Sequence, residues 1–425
     1  MTAVGDLGSP LIFLASFLLS LLVLAYRWPT FPRVRAGVDA FGRRFTGRTD
    51  WSWLRLWHLM VPLAAITAAN IYWNVTTLQC EDSFAILASG QAVLHGHNPF
   101  VVNYCGGTQD QIPYGLAEVG LNALGATSGS ILGMYLVWQL LALAVVPLVW
   151  AIAGDDRRYG SVLVATSVLY LPNIATNIGV ENAIVPVAVL LMLCAIGLSA
   201  RGRSTLWKGV AAFLSTARFP ALFPLLGSSA PLPRGRWAQA TLVLGVFLGS
   251  AGLAYALWGW DAIQVVYLGQ FSRVPAESLN VFALLLVAGW VHPSLVSAAV
   301  QGIGLLGLVV FVNLRGYSAV AGSAIPLLGV MLLSQYLSFH FVVWIVPVLL
   351  LGGTTPAWLL GYGAIAYLDE TYVLWPLGYD RGIWWPYELL GIVLTAILLV
   401  VLVRTIRSEE ARLRAGRKVD NLSRA

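Results

Sequence analysis

Charge is what this chain has least of. Only 10% of its 425 residues are Asp, Glu, Lys or Arg, while 58% are hydrophobic; ordinary soluble domains carry about 25% charged residues. So few charges cannot cover the two or three soluble cores that this length would imply, because large apolar patches would stay exposed. A soluble enzyme, a disordered scaffold and a compact nucleic-acid binder are thereby excluded. Internal repeats, low-complexity tracts and flexible linkers are also missing, which points to one integral domain over 1–425. Lysine is nearly absent, with two residues against twenty-three arginines. That bias suits a GC-rich coding sequence.

What the chain has in quantity is apolar sequence, in runs near the roughly 20 residues that a membrane-crossing helix needs. The runs fall at 8–26, 56–75, 128–153, 160–178, 182–200, 238–258, 294–313, 319–338, 340–353, 355–368 and 386–403. A shorter apolar pair occupies 209–230, with Arg218 and Pro220 between its halves, and reads as a segment that dips into the bilayer and returns. The fold class expected is therefore all-α: a polytopic transmembrane helix bundle of about 11–13 membrane segments. The net charge of +6 is distributed as a topology signal. Seven arginines lie between Arg27 and Arg55 and seven basic residues between Arg404 and Arg424, with smaller groups at Arg157–Arg158, Arg201–Lys208, Arg234–Arg236 and Arg315. Basic loops stay cytoplasmic. The loops poor in arginine carry Glu81, Asp82, Asp110 and Glu118, then Asp261 and Glu277, then Asp369, Glu370, Asp380 and Glu388, with Arg273 and Arg381 as their only basic members, and are placed outside. The chain thus divides into an extra N-terminal span at 8–26, a basic interfacial segment at 27–55 rich in arginine and aromatics, a core at 56–403 and a basic cytoplasmic tail at 404–425.

The longest outer loop, about 76–127, is far longer than a connection requires. It opens on Cys80-Glu81-Asp82-Ser83 directly after a span, continues through FAILASGQAVLHG as a short amphipathic helix ending at Gly96, and turns at His97-Asn98-Pro99-Phe100. A carboxylate there sits at the lipid–water boundary. Cys80 and Cys105 share this loop in an oxidising compartment, where a disulfide between them would close it. Polar groups inside apolar runs are costly and mark function or structure. These are Glu181-Asn182, Arg218, and His340 at the end of the stretch that runs from Ser334 through Tyr336 and Ser338. Glu181 and Arg218 have the option of pairing with each other. Trp260, Tyr267 and Trp384-Trp385 offer rings for sugar stacking or for interfacial anchoring.

Four of these segments together resemble the GT-C superfamily of polyprenyl-phosphate-sugar-dependent glycosyltransferases, and within it the actinobacterial phosphatidylinositol-mannoside mannosyltransferases. They are Asp82 followed by AILASGQAVLHGHNPF; Gly179-Val180-Glu181-Asn182, which departs from the family's Gly-Gln-x-Asn; Lys208 through Arg218-Phe219-Pro220 to Pro224; and Ser338-Phe339-His340-Phe341 with Trp344 and Pro347. The resemblance covers 56–350. It implies inverting single displacement outside the membrane: a hexose, mannose first, passes from a polyprenyl phosphate to a lipid or glycan acceptor. Arabinose and other sugars would use the same machinery.

The resemblance assigns the general base to Asp82, the role a carboxylate plays in taking a hydroxyl proton during attack, with Glu81 adjacent and able to exchange roles. Arg273 and His340 are candidates for holding the leaving phosphate, with His97, Tyr336 and Trp260 as further substrate contacts. Glu181, Asn182 and Arg218 are expected to be structural or lipid-contacting. No metal and no cofactor is expected beyond the sugar donor, and the chain is expected to act as a monomer in the plasma membrane. A lipid-linked sugar transporter is the alternative outside enzymes; it would show paired interrupted helices in two related halves, which the sequence lacks.

Overall fold

The computed structural model describes residues 82–104, 108–111, 114–152, 204–218, 221–228, 236–268, 295–333 and 385–422, together with scattered single positions. Among these residues the chain is mostly helical. Helix α1 (Asp82–Leu94) leads into a hairpin of β1 (Val101–Tyr104) and β2 (Thr108–Gln111). Then follow α2 (Leu116–Ala126) and α3 (Ile131–Ile152), and after them α4 (Ser204–Ser215), α5 (Leu222–Gly227) and α6 (Arg236–Trp258). A single turn, α7 (Trp260–Ile263), widens into a π-helical turn at Gln264–Leu268. Helices α8 (Leu295–Arg315), α9 (Ala319–Leu333) and α10 (Trp385–Leu422) complete the order.

Two of these helices are long and apolar enough to cross a membrane, α6 over Ala238–Trp258 and α10 over Trp385–Gly416. The 23 residues of α6 rise roughly 34 Å at 1.5 Å each, which exceeds a hydrocarbon core of about 30 Å. Three other boundaries lie close to the apolar runs in the sequence, at α3, α8 and the start of α9. The expected apolar pair at 209–230 is present as α4 and α5, with Arg218 in the link between them.

The hairpin departs from the all-α expectation. Its antiparallel register pairs Val101 with Gln111 and Tyr104 with Thr108. TQDQ has no hydrophobic alternation, so its strand character comes from pairing with the Val-Val edge and has no local signal. Helix α10 also departs, running for 38 residues well past the apolar run that ends at 403. The basic tail is its continuation. A helix already nucleated extends at little cost through good formers such as Glu, Ala, Leu and Arg.

That extension is latched to the turn between α8 and α9. The Ser318 amide donates to Glu409 Oε1 at 2.6 Å, and the Tyr317 hydroxyl donates to Glu410 Oε1 at 2.8 Å. Arg412 bonds the same Glu409 oxygen, and Arg315 lies 3.7 Å from Glu410. Leu402, Ile406 and Leu413 pack on the buried Val312, Tyr317, Ala321 and Ile325. Two segments that the arginines assign to the same side, the turn beside Arg315 and the tail, therefore meet.

Helices α5 and α9 cross with almost no separation. A Cβ on Gly227 would stand 1.9 Å from the Gly322 carbonyl oxygen, and one on Gly322 would stand 2.3 Å from the Gly227 oxygen. Close crossings of this kind give apolar helices the dispersion contact and short backbone approach that lipid cannot supply. Neither glycine tolerates a side chain without the helices moving apart. Gly322→Leu is expected to lower the midpoint of thermal unfolding in detergent by at least several degrees, while Gly307→Leu, which meets open space, is expected to leave it unchanged.

The latch gives a second prediction. The Glu409 carboxylate accepts from both the Ser318 amide and Arg412, so it ties the end of α10 to the turn. Amide exchange over 404–416 should therefore be slow in wild type and fast in Glu409→Ala.

Candidate functional site

The residues singled out in the sequence gather, where they are described, around α1. Asp82 is the first residue of that helix, at the end where a helix carries partial positive charge and suits an acidic residue. At the other end the chain leaves α1 through Gly96, whose φ of +73° is the left-handed conformation that glycine adopts freely. The amides of Gly96 and His97 reach back to Val93 and Ala92 at 3.0 and 2.7 Å, the paired bonds of a Schellman ending. His95 Nδ1 lies 2.7 Å from the Gln91 carbonyl oxygen.

The Asn-Pro turn has a clear construction. Asn98 Oδ1 accepts from the Phe100 amide at 2.9 Å, and Asn98 Nδ2 donates to Asp261 Oδ2 at 3.1 Å. Phe100 is fully buried and meets Trp258 edge to face at 5.6 Å. It shares a core with Val119, Ala254, Ala262, Val265 and Val266. The two loops assigned outside by their scarce arginines are thus joined by a polar contact and a core. His97 and Trp260 are each next in sequence to a partner in the Asn98–Asp261 contact. Both are exposed. Tyr267 packs edge to face on Phe247 at 5.7 Å, so its ring is a packing element.

Asp82 and the His97–Trp260 group sit at opposite ends of α1. Thirteen residues rise about 18 Å between first and last, so one sugar ring cannot touch both. The helix between them is not amphipathic. No residue from 84 to 93 is exposed, and Ala85, Ile86, Ser89 and Gly90 are buried. The expected surface-lying helix is instead wedged among neighbours, because its polar residues are too few to make a wet face.

Arg218 also takes a different place. In the sequence its optional partner is Glu181, which lies outside the described residues. In the fold, the link after α4 caps the start of α2. The Gly115 amide donates to the Ala217 carbonyl at 3.0 Å, and the Ala117 amide donates to Thr216 Oγ1 at 3.2 Å. A Cβ on Gly115 would lie 1.6 Å from the Thr216 carbonyl oxygen, so only glycine allows this approach. Arg218 Nε then lies 3.3 Å from Glu118 Oε2, and the guanidinium carbon sits 3.6 Å above the centre of the Tyr114 ring. Glu118 was read only as a loop acid. No local signal could reveal its partner, which is 100 residues away in the chain.

Glu118 has no solvent-exposed side-chain surface and Arg218 has 11%. Burial pushes the Glu118 carboxyl up to about 8, against the pull of the Arg218 guanidinium. Helix α2, with 11 residues, is too short to cross a bilayer. Lys208, read as part of a cytoplasmic basic loop, is instead 1% exposed on α4. Glu81, Glu181, Asn182, Arg273, Tyr336, His340, Cys80 and Cys105 lie outside the described residues. Among the described residues no group of three or more His, Cys, Asp or Glu side chains is placed to hold a metal.

No protein-family model matches this chain, and no curated protein sequence matches it. The chemistry of the site must therefore be argued from its residues.

The buried pair makes two predictions. A carboxyl raised from 4.5 to about 8 binds its proton more tightly when folded, so stability falls as pH rises between those values. Glu118→Gln should flatten that slope, since an amide does not titrate over this range. Glu118→Ala removes the acid that faces the Arg218 guanidinium and should cost about 3–5 kcal/mol. Unfolding midpoints in detergent between pH 5 and 8 check both.

Proposed function

We propose that this protein is a multi-pass membrane glycosyltransferase that moves a hexose, mannose first, from a polyprenyl phosphate to a lipid or glycan acceptor on the extracytoplasmic side. The observation that carries the reading is the position of Asp82, an acid at the start of a buried helix that follows an apolar run and ends in the Gly-x-Asn-Pro-Phe turn. That order matches the first-loop pattern of the GT-C superfamily, in which the acid takes the proton of the acceptor hydroxyl. Two helices long and apolar enough to cross a membrane and the scarcity of charge are consistent with a lipid-linked donor.

In this mechanism Asp82 accepts the acceptor's proton as the hydroxyl oxygen attacks the anomeric carbon. The bond from that carbon to the phosphate oxygen breaks as the new glycosidic bond forms, and the polyprenyl phosphate departs. Arg273 and His340 are assigned to the leaving phosphate on the same resemblance. Glu118 and Arg218 are assigned a structural part, holding the link after α4 against α2.

Purified protein in detergent with radiolabelled mannose-bearing polyprenyl phosphate and total membrane lipid tests the reading. Wild-type protein should label a lipid product, and Asp82→Asn and Asp82→Ala should each lose at least about 100-fold in rate, the usual contribution of a general base. Full activity in both variants overturns the assignment. Movement of unaltered substrate across sealed vesicles, without a new product, would favour a transporter.

A further inference from the structure

The packing of α1 on the α2–α3 hairpin holds polar groups that nothing in the mechanism uses. Ser89 on α1, Asn122 on α2, and Trp138 and Gln139 on α3 are each at most 2% exposed. Six of their polar atoms have no hydrogen-bond partner among the described residues: Ser89 Oγ, both amide atoms of Asn122, Trp138 Nε1 and both amide atoms of Gln139.

These side chains belong to one seam. Ser89 adjoins Gly90, where a Cβ would stand 2.2 Å from the Asn122 carbonyl oxygen. Trp138 shares a core cluster with Ile86 and Ala126, which lie one helical turn from Ser89 and Asn122 respectively. Gln139 lies one turn beyond Tyr135 of the same cluster, and Gly125 against Met134 fixes the level of α2 on α3. Native interiors leave few such groups unpaired, and each one that is buried alone costs stability. Three helices contributing orphaned groups at one level mark a place where a polar ligand would find partners.

The chemistry of the seam narrows its occupant. Its amides offer both donors and acceptors, its indole a donor, and its hydroxyl either. None carries charge, so neither a phosphate nor a cation is matched. A group bearing several hydroxyls is. Spacing along α1 places Asp82, Ile86 and Ser89 on one face, so the seam runs toward the acid.

We infer that the seam between α1 and the α2–α3 hairpin receives the hydroxyl groups of the sugar carried by the lipid donor. This rests on the glycosyltransferase reading for the nature of the donor, though sugar binding itself does not require transfer. Entry requires α1 to move off α2.

The test measures binding, not turnover. Affinities for mannose-bearing polyprenyl phosphate and for bare polyprenyl phosphate are compared in detergent for wild type, Asn122→Leu, Gln139→Met and the mild variant Ser89→Ala. Wild type should prefer the sugar-bearing lipid. Asn122→Leu and Gln139→Met should each lose about 10-fold or more of that preference, as sites that hydrogen-bond a substrate hydroxyl do. Their affinity for the bare lipid should not change. Because each variant removes an unpaired buried group, its unfolding midpoint should be equal to or above that of wild type. Ser89→Ala should shift the preference in the same direction by a smaller factor.

Wild-type preference retained in all three variants overturns the inference. So does a lowered midpoint in all three, which would make these groups partners in a structural network. A protein that prefers the sugar-bearing lipid yet makes no product keeps the seam and loses the transferase reading. Transfer by wild type with no such preference does the reverse.

Discussion

The meeting of two distant chain segments, 114–118 and 216–218, governs how everything around α1 is arranged. A helix start buried away from water has four amides without intrahelical partners. Here Ala217 and Thr216 supply acceptors for two of the amides near that start. That contact is possible only because Gly115 has no side chain, and it fixes Arg218 one turn along from the cap, where Glu118 lies. The charge pair is a consequence of the backbone contact as much as a cause. The guanidinium is desolvated over Tyr114 with Glu118 as the acid that faces it.

The same contact sets the level of α2 against α1 and α3. Glu118 and Asn122 are four residues apart and lie on one face of α2, so holding Glu118 in place also holds Asn122 in the seam. At the other side, Val119 packs with Phe100 and the C-terminal end of α6. The short helix α2 is therefore gripped from three directions, while α1 is held against it by close backbone packing at Gly90.

What the sequence made legible follows from the kind of interaction involved. Helices α3, α6 and α8 lie close to their apolar runs because a desolvated backbone must satisfy its own hydrogen bonds, which an apolar run does locally as helix. The α1 boundary was readable at Gly96 for a local reason, the left-handed ending. The hairpin, the Glu118–Arg218 pair and the latch of α10 were not readable. Each depends on residues about 90 to 100 positions apart or on strand pairing without alternation, and a single sequence has no register for such pairings. Helix α1 is not amphipathic because its interior holds only two polar side chains, Ser89 and Gln91, and Ser89 is buried.

The separation of Asp82 from the His97–Trp260 group constrains any mechanism built on α1. If Asp82 takes the acceptor's proton, Trp260 at the far end of the helix cannot stack the ring undergoing transfer. It is left to contact a more distant part of the acceptor or the membrane interface, where a half-exposed tryptophan is at home. The seam residues do not suffer this difficulty. Ser89 lies two turns from Asp82 along the helix, about 10 Å by rise. That is close to the span of one sugar with its phosphate. A donor bound there would present its anomeric carbon toward the start of α1, and the acid would need no rearrangement beyond the movement that opens the seam.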